Sequence, residues 1–457
     1  MRTKIAAVTL VSMLIPFLGL RASQSGLAGL ARQARSVNPA KSAQAVTALR
    51  QAGPAGMEAM LAACTDGSCG DVLDRVCGVR DCADIRLFWY TDLDAAKAAA
   101  RATGKPILSL RLMGRLDEEF SCANSRFFRT VFYNNREINA LLRDHYILHW
   151  RSVRPVPKVT IDFGDGSRLE RTLTGNSIHY VLDSRGRLLQ PLPGLYGPAV
   201  FRDALKNAEE AAREAVQMDD GEYMPWVTTS YQFQLSDAAW TLLREQEELT
   251  TAAPAPPSPA KPAVVVQPKV IPVAAVQFRE GEEQENLPTA RDPWAVLANT
   301  PGVLTDRIDV GGNTGSKSAY EGPGLAALAD VRDVSDDQIR QLAQLRRPRV
   351  HLDSASRAFL LRKQGVTDPK EAERLVDAFE TTMALDEVID EYRTGPAILK
   401  KLIDPETRKG FDLETFNQWV YANVFQTPLS DPWLGLAPKD VYGALPASAR
   451  TAAIPKP

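Results

Sequence analysis

Cys122 and Ser125 stand three residues apart in the stretch LDEEFSCANSRFF, Leu116 to Phe128. The stretch follows a short apolar run, PILSLRLM, and leads into a long amphipathic segment. Two cysteines at that spacing, where a strand gives way to a helix, would exchange thiols with disulfides. Here the second position holds a hydroxyl, so Ser125 closes no intramolecular disulfide. A lone Cys122 thiolate still attacks a disulfide, and an external thiol must then release the adduct. A cysteine at a helix N-terminus sees unpaired N–H groups and the positive end of the dipole, which favour the thiolate. Arg115 and Arg126 add to that field, while Glu118 and Glu119 oppose it. The structural alternative is a small residue packing the helix start, with Ser121 as its N-cap.

Four histidines occur, and two fall near this chemistry. His149 is expected to end a strand on the Cys122 rim, and His179 to begin another there. Together they offer Cys122 a general base or a metal pair. Otherwise they are satisfied polar groups beside a core. The segment HWRSVRPVP puts Arg151 and Arg154 beside Trp150 on that rim. A basic rim recognises a carboxylate or a peptide backbone, or makes surface salt bridges. DFGDG lacks the spacing and the distal glutamate of a calcium loop and reads as a hairpin turn. No glycine-rich phosphate loop, Ser-His-Asp order or metalloprotease helix occurs, so no cofactor and no resident metal is expected.

The other cysteines lie in CTDGSCGDVLDRVCGVRDC, two C-x4-C units. Residues five apart lie on different faces of a helix, so each pair needs a turn between its members. Thr65 to Ser68 and Gly78 supply turn chemistry. Disulfides Cys64–Cys69 and Cys77–Cys82, other pairings among the four, and a four-cysteine zinc site all fit the composition. Zinc ligands are usually spaced more tightly. Each arrangement leaves Cys122 over. The N-terminus, MRTKIAAVTLVSMLIPFLGLRASQSGLA, has a basic start, a short apolar core interrupted by Pro16, and small residues. Residues 1–25 read as a signal peptide, with an uncleaved anchor as the alternative. A periplasmic or secreted location follows, where paired cysteines oxidise. Lys+Arg is 54 against Asp+Glu 56, so no basic excess points to nucleic acid. A protein substrate or protein partner is expected, and no membrane association after cleavage.

These residues must be carried by elements. Residues 26–84 form a helical, cysteine-containing N-terminal cap, broken at AGPAG. Residues 85–215 alternate strand and helix signals. RLFWY is a strand. TDLDAAKAAARATGK is a helix with Thr91 as N-cap and Gly104 as stop. PILSLRLM and YILHWRSV are strands on either side of a helix pair or bent helix. KVTIDFGDGSRLERTLT is a hairpin. IHYVLDSRGRLLQPLPG gives two strands joined at Ser184-Arg185-Gly186, and Pro198 opens a closing helix. The order β-α-β-α-β-(hairpin)-β-β-α is an α/β layer fold. A Pro/Ala-rich linker covers 250–275, and irregular sequence continues to 325. Residues 326–457 form a separate, mainly α domain. Its helices start at Ser335, at the Asp368-Pro369 cap with Glu371 completing a capping box, and in DLETFNQWVYANVFQ. Trp433 and Tyr442 fall in its proline-containing tail.

The entry WYTDLDAAKAAARATGKPIL matches a W-x-x-D-x-x-x-A…GKPIL pattern, and YVLDSRGRLLQPLPGLYGP matches a strand, D-x-x-G turn, strand and helix. On these residues 85–210 resemble the thioredoxin-like superfamily, especially exported bacterial members. The resemblance implies a thioredoxin-like central domain between the helical cap and the separate α domain. It places Cys122 at the attacking cysteine and Ser125 at the resolving one. The family has a cis-proline facing the motif, where substrate docks. Counting back from the Asp183–Gly186 turn, Ser177 takes that position. Two functions follow: single-thiol disulfide exchange or isomerisation through Cys122, or a non-catalytic scaffold that binds proteins.

Overall fold

The computed structural model describes residues 24–65, 69–172, 176–251 and 334–431. Residues 1–23, the larger part of the segment read as a signal peptide, most of the linker, Trp433 and Tyr442 lie outside them.

Five helices open the chain: α1 Gln24–Ala34, α2 Pro39–Gln51, α3 Pro54–Ala63, α4 Gly70–Cys77 and α5 Cys82–Ile85. Asn38 caps α2, its side-chain oxygen accepting from the N–H groups of Ala40 and Lys41. The AGPAG break separates α2 from α3 as expected. Gly53 takes a positive φ of 65°, and a Cβ on Gly56 would collide with the Leu49 carbonyl. The cysteines pair locally, Cys64 with Cys69 and Cys77 with Cys82, at Cα separations of 5.9 and 6.2 Å. The two bridges clamp both ends of α4. Gly78 ends α4 in the left-handed region, and its carbonyl accepts from the Trp150 indole N–H at 2.6 Å. Arg50 of α2 donates to the carbonyls of Val76 and Trp89, holding the end of α4 against the first strand.

The central part is a mixed α/β layer. Its elements are β1 Trp89–Tyr90, α6 Leu93–Thr103, β2 Ile107–Met113, α7 Ala123–Val131, α8 Arg136–His145 and β3 Ile147–Arg154. There follow the ribbon β4 Lys158–Asp162 and β5 Arg168–Thr172, then β6 Ser177–Leu182, β7 Leu188–Pro193 and α9 Pro198–Ala215. The sheet order is β1-β3-β2-β6-β7. β3 runs parallel to β1 and β2, while β6 is antiparallel to both β2 and β7. The hairpin forms around Gly164 and Gly166 as expected, both at positive φ. The α6 cap differs. Asp92, not Thr91, accepts from the Ala95 N–H at 2.7 Å, because the helix begins at Leu93 and Asp92 holds its N-cap position; the Thr91 hydroxyl accepts from Arg50.

β2 is buried along its whole length. A central strand covered on both faces reads as a continuous apolar run, and Ser109 and Arg111 are its exceptions. Paired residues share a face. One face therefore carries Ser109 and Arg111 with His149, Tyr180 and Ile178. The other carries Leu110 and Leu112 with Trp150, His179 and Ser177. Rings of Phe128, Phe132 and Phe201 stack over that second face, with Phe128 4.5 Å from the His179 ring. The turn after β6 is built on Asp183, which accepts from the N–H groups of Arg185 and Arg187 and pairs with the Arg187 guanidinium at 2.7 Å.

The remaining helices are α10 Asp220–Thr251, α11 Asp336–Arg346, α12 Ser354–Gln364, α13 Pro369–Ile389, α14 Gly395–Ile403, α15 Pro405–Arg408 and α16 Leu413–Trp419. Ser335 and Gln338 form a reciprocal capping box on α11. The chain divides into two compact units. One contains the described residues up to Tyr223 together with Arg349–Met383. In it the Ser356 hydroxyl donates to the Val131 carbonyl at 2.9 Å and Phe379 stacks on Phe127. Residues 349–383, placed in the C-terminal region by their distance along the chain, thus belong to the unit that contains the sheet. The second unit has its own core, with Ala239 and Leu242 of α10 against Ile339 and Leu342 of α11 and against Val388 and Tyr392. Arg346 is buried there, paired with Glu245 at 2.8 Å and with Glu387 and Glu391. No helix among the described residues is long and apolar enough to cross a membrane.

Candidate functional site

Gly114 follows β2 at φ 78° and donates to the Arg154 carbonyl. A Cβ there would press on Phe120 and Ser121 at 3.1 Å, so glycine lets the Phe120–Ser121 backbone fold over the strand end. This brings the Cys122 N–H to the Met113 carbonyl at 3.0 Å. Cys122 is itself the N-cap residue of α7. Its thiol donates to the Ser125 hydroxyl at 3.4 Å. The single Ser125 proton has two acceptors in reach, Ser121 Oγ at 2.7 Å and the Cys122 carbonyl at 2.8 Å. Ser121, Cys122 and Ser125 are all completely buried. Ser121 therefore does not cap the helix, because its hydroxyl is turned to Ser125.

The end of β2 also gathers Ser177 and Arg154. Ser177 pairs with Leu112, and Arg154 with Met113. Ser177 is buried and its hydroxyl meets no polar partner among the described residues. The charges expected around the thiol are engaged elsewhere. Arg115 forms a fork with Asp117 and lies over the Trp150 ring. Burial would raise the Glu119 pKa, but Lys363, Arg129 and Arg80 together hold it below the usual carboxylate value. Burial lowers the pKa of Arg126, whose guanidinium donates to Thr172.

The histidines are arranged differently from the expectation. His149 is the third residue of β3 and pairs with Ser109, and His179 is the third of β6 and pairs with Leu110. Both lie inside their strands rather than at the strand tips, and they point to opposite faces of the sheet. Side chains alternate faces along a strand, so no common partner lies between them. His149 Nδ1 is 2.7 Å from Ser109 Oγ, which also accepts from Arg111. Burial, then the charges of Arg111, Arg151 and Lys97, push its pKa down to about 3. His179 Nε2 is 2.9 Å from the Tyr133 hydroxyl, and burial lowers its pKa to about 3 as well. Burial keeps the Tyr133 phenol protonated, so the phenol donates to Nε2 in one tautomer of His179 and accepts from it in the other. Both imidazoles are neutral at neutral pH.

Ser109, Arg111 and Tyr133, the buried partners of the two histidines, were not singled out from the sequence. The available signal was two polar residues inside PILSLRLM. A groove of about 500 Å³ lies elsewhere in the same unit, lined by Asp84, Arg86, Arg136, Asn139, Arg143 and Arg362 among others. Cys122 does not line it. Among the described residues no group of three or more histidine, cysteine, aspartate or glutamate side chains is arranged to hold a metal ion. No family model and no curated protein matches the chain.

Proposed function

We propose that this protein is exported and that its central domain is a thioredoxin-like scaffold, a protein-binding module without redox catalysis. The strand order β1-β3-β2-β6-β7 supports the thioredoxin-like part, as do Cys122 opening the helix after β2 and Ser177 beside the end of that strand. The basic, apolar N-terminus and two disulfides support export. One observation carries the scaffold reading: Cys122 is completely buried, and its sulfur faces a serine hydroxyl where a resolving thiol would stand. Exchange needs a thiolate that a substrate disulfide can reach in line.

The second reading is single-thiol disulfide exchange or isomerisation through Cys122. Its support is the placement of the sulfur at the start of the nine-residue helix α7. Incubation of the folded, full-length protein with glutathione disulfide separates the two. The scaffold reading expects no glutathione adduct at Cys122 until denaturant is added. Rapid adduct formation in the folded protein, reversed by an external thiol, would establish the exchange reading instead.

A further inference from the structure

α10 is apolar on two opposite sides. One side carries Tyr231, Leu235, Ala239 and Leu242, all buried, and Ala239 and Leu242 join the core of their own unit. The other side carries Phe233, Trp240 and Leu243, exposed by 71%, 64% and 47%. Phe233 and Trp240 are seven residues apart, two turns of helix, and Leu243 is one turn further on. The three lie along one stripe of the helix, with Ser236 on the turn between Phe233 and Trp240. A helix face this apolar, with two large aromatic rings in water, marks an interaction surface.

The charges beside the stripe specify its occupant. Asp237 and Arg244 both flank Trp240 on the same side, three residues before it and four after. Arg244 donates to the Thr241 hydroxyl at 3.0 Å, and among the described residues neither side chain forms an ion pair. A twofold axis crossing the helix between Trp240 and Thr241 would set Asp237 of one copy against Arg244 of a second, twice over. In the same register Trp240 packs beside the partner's Leu243. Antiparallel helix pairs match such flanking positions with their like, and a twofold interface must be complementary to itself. We propose that this face of α10 is the seam of an antiparallel homodimer of the chain.

Sedimentation velocity on the full-length protein, over a range of concentrations, tests this. A concentration-dependent dimer is expected. Trp240→Glu should weaken it by about tenfold or more, as loss of a central aromatic anchor does. Because Trp240 is exposed, the variant should keep the wild-type circular dichroism and melting temperature. Asp237→Arg alone and Arg244→Asp alone should each weaken dimerisation by setting like charges against each other. The double variant should recover it, and raised salt should reduce all three differences. A protein that stays monomeric at every concentration, or a dimer indifferent to Trp240→Glu, overturns the proposal. Failure of the double charge swap to restore the dimer overturns the antiparallel register.

Discussion

The Cys122 sulfur lies 3.4 Å from the Ser125 hydroxyl, and neither side chain is exposed to solvent. The two are placed as a dithiol pair would be, but the second partner is an oxygen and the first is out of reach. Geometry compatible with redox chemistry is thus combined with burial that denies access to it.

Burial has a direct kinetic consequence. In the folded protein Cys122 should react with a maleimide only through opening of the structure. Its labelling should be roughly 10³-fold or more slower than in denaturant. Mass mapping without reductant should then find one alkylatable thiol, at Cys122, with Cys64–Cys69 and Cys77–Cys82 intact. Labelling at the rate of a free thiol would refute the closed site.

Replacing Ser125 by cysteine puts a sulfur where the hydroxyl now meets Cys122. Mild oxidation should close a disulfide, visible as the loss of both alkylatable thiols. The existing approach needs only side-chain rotation and a small shift to reach about 2.05 Å. If both thiols persist under oxidant, the helix start does not hold redox geometry and the thioredoxin-like reading loses its main local support.

Acid should destabilise the fold through the histidines. Their folded pKa values of about 3 lie below the unfolded value of about 6.5. Their contribution is complete above pH 6.5 and is lost as the pH falls towards 3. Asp74 and Asp386 act in the opposite sense, because burial raises their pKa values to about 6 and about 7 and the folded state favours their protonated forms. Between about pH 4 and 6 the two histidines and the two aspartates offset each other, each group contributing about 1.4 kcal/mol per pH unit, so the net slope is close to zero. His179→Gln, whose side-chain amide still pairs with the Tyr133 hydroxyl, should shift the slope by about −1.4 kcal/mol per pH unit, so that the variant loses stability as the pH rises from about 4 to 6 in urea titrations. An unchanged slope would show that His179 is not buried as a neutral group.

Arg346 holds three carboxylates together in the second unit. Burial disfavours its charge, but the bonds to Glu245 and Glu391 outweigh this, and the Tyr392 hydroxyl completes the cluster by donating to Glu245 at 2.6 Å. Arg346→Met leaves Glu245 and Glu387 buried without their cation and should cost roughly 3–5 kcal/mol in chemical denaturation. A loss below about 1 kcal/mol would mean that water reaches the cluster and screens it.

What was legible in the sequence was local. The two five-apart disulfides were one of three arrangements open to the sequence, but the Ser335 cap, the Gly53 and Gly78 breaks and the Gly164–Gly166 hairpin depend only on neighbours a few residues away. Residue type and spacing therefore suffice to specify them. The order of strands and helices in 85–215 followed from the same short-range signals. The Thr91 cap was displaced by one residue, since the helix begins at Leu93 and its neighbour Asp92, a strong capping residue, takes the N-cap. Strand register decided the histidines: a shift of one residue reverses a side chain's face, and pairing with Ser109 and Leu110 sends His149 and His179 to opposite sides of the sheet. Only packing put residues 349–383 with the sheet, through contacts such as Ser356 on Val131. Only packing, too, buried Cys122, because burial depends on which distant segments close over a residue.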